Sequence, residues 1–386
     1  MGARRRALAF VAILAVVAVG SALYVAGHSD TAATASGRTG IRVAGNAVAG
    51  LGLFQDELLV WAFGGFSDRE VALVARSRRV EAISAVRTGL LGAAARTGGA
   101  GVVPVEAIAV DRQAYGGAVG RAGARLGTML GRGVVLSATG ARLRGLDEGD
   151  RLRLAGGVAL QVAGVVDDRL LGGYEALLPL ETGQRLHLDH AGYLLLRPRG
   201  SRSGLEASLR RLLHGRALRF RVYGQRPFLR AGDAVLPLAQ VKARFGEFTV
   251  PSLRRVEPDR AWVAANIVSR RVPLLGQVRC HRLVVADLAA AMAELQRRGL
   301  ARLVDVADFH RQGGCYVPRQ LRGGQGQLSR HSWGIAVDLN VAANPLGGSP
   351  HQDPRLVQVM ARHGFTWGGR WLRTDGGHFE WVGRGA

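Results

Sequence analysis

Two short segments near the C-terminus, SRHSWGIAVDLN (Ser329–Asn340) and TDGGHFEW (Thr374–Trp381), restrict what this chain can fold into more than any other feature. His331 and Asp338 lie seven residues apart. A helix would stack them on one face two turns apart, whereas a straight strand would put them on opposite faces. The stretch GIAVDLN has strand chemistry, with Val337 and Leu339 toward one face and Asp338 toward the other. His331 therefore belongs to a turn ahead of the strand, swung back toward Asp338, and Gly334 is the residue that permits the bend. In DGGHFEW, His378 and Glu380 share one face of a short strand while Phe379 takes the other. Asp375 stands before two glycines, so its backbone can fold close to His378. Two imidazoles and one carboxylate make three N/O ligands, the number at a catalytic Zn2+ site with one position left for water. A further carboxylate nearby can take the proton of that water.

The rest of the chain says where such a site would work. Its 386 residues suffice for two ordinary domains beside a targeting segment, and 48% are hydrophobic, enough for a sizeable core. The 55 glycines are dispersed rather than periodic, which excludes collagen and argues against a solenoid. Net charge is +23, carried almost wholly by arginine, with Lys242 the only lysine. Such a charge favours polyanions: nucleic acid, anionic lipid or an anionic cell-wall polymer. No homeodomain, zinc-finger or RNA-recognition signature accompanies it, so nucleic acid is set aside as a partner in favour of the anionic cell envelope.

Arg4, Arg5 and Arg6 precede an uncharged stretch from Ala7 to Gly27. At about 1.5 Å per helical residue it matches a hydrocarbon core of about 30 Å. The expectation is an N-terminal transmembrane anchor over residues 1–27, with the arginines inside and both following domains exported. The alternative is a signal segment cleaved near Gly20-Ser21-Ala22, giving a secreted protein. Two cysteines fit export, and Cys280 and Cys315 are expected to pair in a disulfide.

Residues 28–40, HSDTAATASGRTG, are small and polar and read as a linker. From 41 to 214 the chain reads as one mixed α+β domain. Ser67 and Glu70 form a capping box ahead of a short helix, and a strand follows from about Val80. The stretch VVLSATGARLRGLDEGDRLRLAGGVALQVAGVV reads as strand, short helix, turn at Asp147–Asp150 and hairpin at Gly156-Gly157. This pattern resembles the extracytoplasmic domain of MacB/FtsX-type ABC-transporter permeases. It holds no nucleophile or metal cluster and implies a binding or positioning module. A second domain runs from 219 to 386. In ADLAAAMAELQRRGL, Leu288, Met292 and Leu295 recur at helical spacing, with Arg297 and Arg298 in the last turn and Gly299 after it. RGGQGQ (Arg322–Gln327) lacks the strand and helix that flank a phosphate loop and reads as a surface loop.

The two C-terminal segments together resemble the VanY-type zinc D-alanyl-D-alanine carboxypeptidases and the related endolysin L-alanyl-D-glutamate peptidases. Ser329, His331, Gly334, Ala336 and Asp338 match the pattern SxHxxGxAxD, and Asp375 and His378 match the acid-x-x-His that follows it. Upstream, GCYVPR resembles the segment that carries the family's active-site arginine, here Arg319, and GFTWGGRW also fits. The similarity runs from about Arg219 to Gly383. It implies a hedgehog/DD-peptidase α+β fold, helices on an antiparallel sheet. Zn2+ would be held by His331, Asp338 and His378. Asp375 would act first as general base and then as general acid to the leaving amine. Arg319 would stabilise the oxyanion or hold the substrate carboxylate, and Ser329 would hydrogen-bond substrate or a ligand residue. Many relatives carry Glu where this chain has Asp375, one methylene shorter, so Glu380 stands as the alternative base. The implied substrate is a peptidoglycan stem peptide, cut as a carboxypeptidase or as an L-alanyl-D-glutamate-type endopeptidase. The other class is a cell-wall binding protein that keeps the zinc fold without turnover.

Overall fold

The computed structural model describes residues 57–95, 101–222, 236–321 and 327–384. The anchor stretch, the linker, and residues 322–326 of the glycine-rich loop lie outside these. Among the described residues no helix is long and apolar enough to cross a membrane. The architecture is mixed α+β.

The first half builds a nine-stranded sheet. Its strands are β1 (Leu58–Phe66), β2 (Val80–Ala94), β3 (Val102–Val110), β4 (Val134–Ser137), β5 (Arg151–Arg153), β6 (Ala159–Val166), β7 (Ala176–Pro179), β8 (Ala191–Pro198) and β9 (Leu218–Val222). They run in the order β5-β6-β4-β7-β3-β2-β8-β1-β9. Most neighbours are antiparallel, but β3 with β7 and β4 with β6 are parallel. Strand β9, which spans Arg219, pairs with β1 and closes the sheet edge.

Both faces are covered, and the period of two explains how. Along β8, Tyr193 and Leu195 join the core under the helix Arg112–Leu130, while Leu194 and Leu196 face the helix Arg202–Leu212. Local signals set the element ends. Ser67 accepts from the Glu70 amide and Glu70 reaches back to the Ser67 amide, so the capping box starts the helix Asp68–Ala75 as the sequence predicts. The expected strand, short helix and hairpin are β4, the helix Ala138–Arg144, and β5 paired antiparallel with β6.

The second half surrounds one large apolar cluster with two small antiparallel sheets and several helices. β10 (Ile267–Val272) pairs with β11 (Gly276–His281). β12 (Ala336–Asp338), β14 (His378–Trp381) and β13 (Phe365–Trp367) form the other sheet, with β14 central. The helix Val285–Arg297 buries Leu288, Met292 and Leu295 and ends at Gly299, whose φ is 66°. Trp333, Phe379 and the helix Pro354–Arg362 complete the core.

The two halves form one unit and share a seam. Val102 on β3 and Val250 exchange two backbone hydrogen bonds of 2.8 Å. Beside them Lys242, on the helix Leu238–Phe245, reaches Glu175 at 2.9 Å and Glu247 at 3.1 Å and donates to the Pro104 carbonyl. Arg144 adds bonds of 2.6 Å to Glu175 and 3.1 Å to Glu247. Glu175 is wholly buried. Burial alone would raise its pKa, but the charges of Lys242 and Arg144 outweigh it and hold the carboxyl below its ordinary value. The chain's one lysine is thus a buried tie between its halves.

Candidate metal centre

Three local structures bring the candidate ligands together. Ser329 caps a 3-10 turn, Arg330–Trp333, and accepts from the His331 amide at 3.3 Å. Gly334 ends the turn at φ 63°, where a Cβ would stand 2.8 Å from the His281 nitrogen. The bend expected at Gly334 therefore needs glycine twice, for its backbone and for its lack of side chain. The chain then enters β12, whose Asp338 lies directly across from His378 on β14. Cross-strand partners point to one face, and the turn delivers His331 to that same face.

The result is a triangle. His331 Nε2 lies 3.0 Å from Asp338 Oδ1 and 3.2 Å from His378 Nδ1, and His378 Nδ1 lies 3.0 Å from Asp338 Oδ1. Donors about 2.0–2.1 Å from a tetrahedral ion stand about 3.3 Å apart, so the three fit one face of such a site. His331 Nδ1 lies 3.0 Å from the Cys315 carbonyl. A carbonyl can only accept, so Nδ1 carries the hydrogen and Nε2 presents its lone pair to the triangle. Three lone-pair atoms converging this closely repel one another unless a cation or a proton sits among them. Among the described residues this is the one cluster of three or more His, Cys, Asp or Glu groups placed to hold a metal ion.

Charge follows geometry. Burial would raise Asp338, but His331 and His378 outweigh it and hold the carboxyl well below its usual range. Burial would lower His378, yet the hydrogen bond and charge of Asp338, with Asp375 and Glu380 behind, leave it raised. Asp375 itself is pushed up, chiefly by burial.

The other sequence candidates surround the triangle at different depths. Asp375 ends a tight loop: its amide donates to Gly368 O at 3.0 Å and its carbonyl accepts from the His378 amide at 3.1 Å. It feels the charges of His378, Asp338, His331 and Arg319. Arg319 is part-exposed and donates to Asp338 Oδ2 at 3.3 Å, the carboxylate oxygen that is not part of the triangle. Ser329 turns its hydroxyl to the turn that carries His331. Glu380 is wholly buried, with Arg330 Nε at 3.6 Å. Cys280 and Cys315 form a disulfide, their Cα atoms 5.3 Å apart. It braces the backbone whose Cys315 carbonyl orients His331.

Several contributors carry no signal that sequence alone could rank. Ser332 both accepts from the Arg319 amide and donates to the Arg319 carbonyl, each at 3.1 Å, which ties the arginine's segment to the histidine turn. Trp371 places its ring centroid 5.1 Å from that of His378 and walls the site. Arg330 is the buried counter-charge of Glu380.

Comparison with known proteins finds matches in two separate stretches of the chain. A family model described as D-alanyl-D-alanine carboxypeptidase matches residues 322–381. A second, described as MacB-like periplasmic core domain, matches residues 7–212. Among solved structures, the periplasmic region of MacB from Actinobacillus actinomycetemcomitans is 12% identical, covering 45% of this chain and 91% of that one, with a TM-score of 0.31. The extracellular domain of the noncanonic ABC-type transporter YknZ from Gram-positive bacteria is also 12% identical, covering 43% and 99%, with a TM-score of 0.31. No curated protein matches the chain.

Proposed function

From a chain that belongs, through residues 7–212, to the family of MacB-like periplasmic core domains and ends in a match to the D-alanyl-D-alanine carboxypeptidase family, we propose a zinc peptidase of the cell envelope. Its reaction is removal of the terminal D-alanine from a peptidoglycan stem peptide. The observation that carries this reading is the triangle of His331 Nε2, Asp338 Oδ1 and His378 Nδ1, with sides of 3.0–3.2 Å. The fold of the second half is read as the hedgehog/DD-peptidase type, in the domain expected over about 219–386, whose first residues, through Val222, complete the preceding sheet as β9; it follows a membrane-held, extracytoplasmic domain of about 41–214. The basic charge keeps both near an anionic envelope.

The donor set suits zinc: two imidazoles, one with its tautomer fixed by a backbone carbonyl, and one carboxylate. Bound there, zinc would supply Lewis acidity toward water and toward a carbonyl oxygen. Asp375 is the proton carrier. Burial raises its pKa above the ordinary carboxylate value, the direction that suits a group taking up a proton and returning it to the leaving amine. Arg319 faces the substrate's terminal carboxylate with the N–H groups not directed at Asp338, a fork shaped for that partner. Ser329 positions His331 through its amide. Glu380, closed in with Arg330, is a structural charge in this reading rather than the base.

Mass analysis of muropeptides incubated with the purified full chain tests the proposal. Loss of one terminal D-alanine, stopped by a chelator and restored by zinc, is the expected result. Cleavage inside the stem peptide would convert the reading to an endopeptidase. Intact muropeptides with a fully zinc-loaded chain would leave a wall-binding protein.

A further inference from the structure

The loop from Trp367 to Asp375 touches the metal ligands on one side and the first half of the molecule on the other. On the inner side the Trp371 ring lies tilted against that of His378, and the amides of Trp371 and Asp375 both donate to Gly368 O at 3.0 Å. The loop is therefore a small closed unit that carries both the wall and the proton carrier of the site. One flank is tied to the 347–348 turn, where the Gly347 amide donates to Thr374 O at 2.6 Å. The outer side rests on the nine-stranded sheet. Arg219 on β9 donates to the Arg370 carbonyl at 3.1 Å. The Arg373 guanidinium lies over the Phe63 ring, 4.4 Å from its centroid.

Phe63 is a built feature rather than a stray apolar side chain. It is 40% exposed, whereas Val60 and Ala62 beside it are fully buried. It sits where β1 loses register with β8, between Trp61 and Phe66, and Gly64 and Gly65 follow at φ 79° and 66°. Such a bulge re-aims a side chain. Arg216 fixes the bulge from below, donating to the carbonyls of Phe63 at 3.3 Å and Gly65 at 2.6 Å. Phe63 comes two residues after Trp61, the cross-strand partner of Arg219, so the two contacts stand side by side on the sheet edge.

We propose that this sheet edge is a clamp on the active-site loop: Phe63 and Arg219 are positioning residues that hold residues 368–375 against the metal ligands. The MacB-like half thereby sets the geometry of the peptidase half. The consequence for turnover rests on the peptidase reading above; the clamp itself does not.

The test measures amide hydrogen exchange of residues 369–375 in the full chain, alongside bound zinc and muropeptide kinetics, for Phe63→Ala, Phe63→Tyr and Arg219→Ala. Removing an exposed cation–π contact of about 0.5–1 kcal/mol should speed loop exchange about 2- to 5-fold. Phe63→Tyr keeps the ring and should restore wild-type exchange. Zinc content should stay at the wild-type level, and kcat should fall by a similar factor with KM little changed. Unchanged loop exchange in both Phe63→Ala and Arg219→Ala would overturn the clamp. Faster exchange in a chain that cleaves no muropeptide would support the clamp and sink the peptidase reading.

Discussion

Two buried charge clusters, one at the seam and one at the metal centre, solve the same physical problem in opposite ways. At the seam, Glu175 and Glu247 meet Lys242 and Arg144, and donors face acceptors at 2.6–3.1 Å. The cluster contains its own cations and is complete as folded. At the centre, His331, Asp338 and His378 turn lone pairs toward one another at 3.0–3.2 Å. Arg319 reaches only the other oxygen of Asp338. The three atoms converge on one point, placed for a cation or a proton to sit among them. Burial of charge alone therefore does not single out a candidate site; three ligand atoms converging on one point do.

The largest expected effect breaks the comparison at the centre. His331→Ala and His378→Ala should each lose the bound metal and all measurable turnover, read by metal analysis and muropeptide digestion. In wild type, added zinc should raise the melting temperature, because a ligand that binds only the native state stabilises it by mass action. The two variants should show no such rise. A variant that keeps full zinc would show that its histidine is not a ligand.

Next comes the proton carrier. Asp375→Asn should keep the metal and the fold while turnover falls about 10²–10⁴-fold, the usual cost of losing a general acid–base group. Glu380→Gln should do less to turnover. A dead Glu380→Gln beside an active Asp375→Asn would exchange their roles, and loss of zinc in Asp375→Asn would make it a ligand.

The seam should respond in the other currency, stability. Lys242→Met leaves Glu175 without its central cation, and breaking a buried pair by removing one partner typically costs about 3–5 kcal/mol. Denaturant unfolding should show that loss while zinc content stays normal. Unaltered stability would mean that Arg144 alone satisfies Glu175.

The smallest expected effect is a pH dependence between the two regions. His281 donates from Nε2 to the Phe245 carbonyl and accepts at Nδ1 from the Leu283 amide, both at 3.2 Å. A second ring proton would point at an N–H group. Burial chiefly, with Arg282 adding to it against the Phe245 bond, lowers its pKa to about 4. Between that value and about 6.5 the unfolded chain binds a proton that the native chain does not, so stability falls as pH drops through this window. At about 1.4 kcal/mol per pH unit, moving from pH 6.5 to 5 should cost roughly 2 kcal/mol. His281→Gln should flatten this part of the profile in denaturant titrations at the two pH values; an equal slope in both proteins would remove His281 from the account.

Much of this was legible in the residues. The box at Ser67 and Glu70, the stripe Leu288, Met292, Leu295 and the bend at Gly334 are local statements, and each has its counterpart in the structure. They are legible because hydrogen bonds within four residues and a steric limit at one Cα need no distant partner. The nine-stranded order was not legible. β3 lies beside β7 and β1 beside β9, pairings that span long stretches of chain and depend on which apolar faces meet. The roles of Arg330, Ser332 and Trp371 were hidden for the same reason.

Sequence by itself determined the identity of the candidate ligands. Their residue types and spacing, SxHxxGxAxD and DxxH, limit the chemistry to nitrogen and oxygen donors on a turn and two strands. Only the tertiary structure decided which atoms face one another: Nε2 of His331 but Nδ1 of His378, Oδ1 of Asp338 with Oδ2 left to Arg319. Only it placed the chain's single lysine in the seam and brought Phe63 on β1 under Arg373. The physical reason is range. Spacing acts through torsions over a few bonds, whereas convergence of ligand atoms and burial of charge depend on strand register and on the packing of segments tens to hundreds of residues apart.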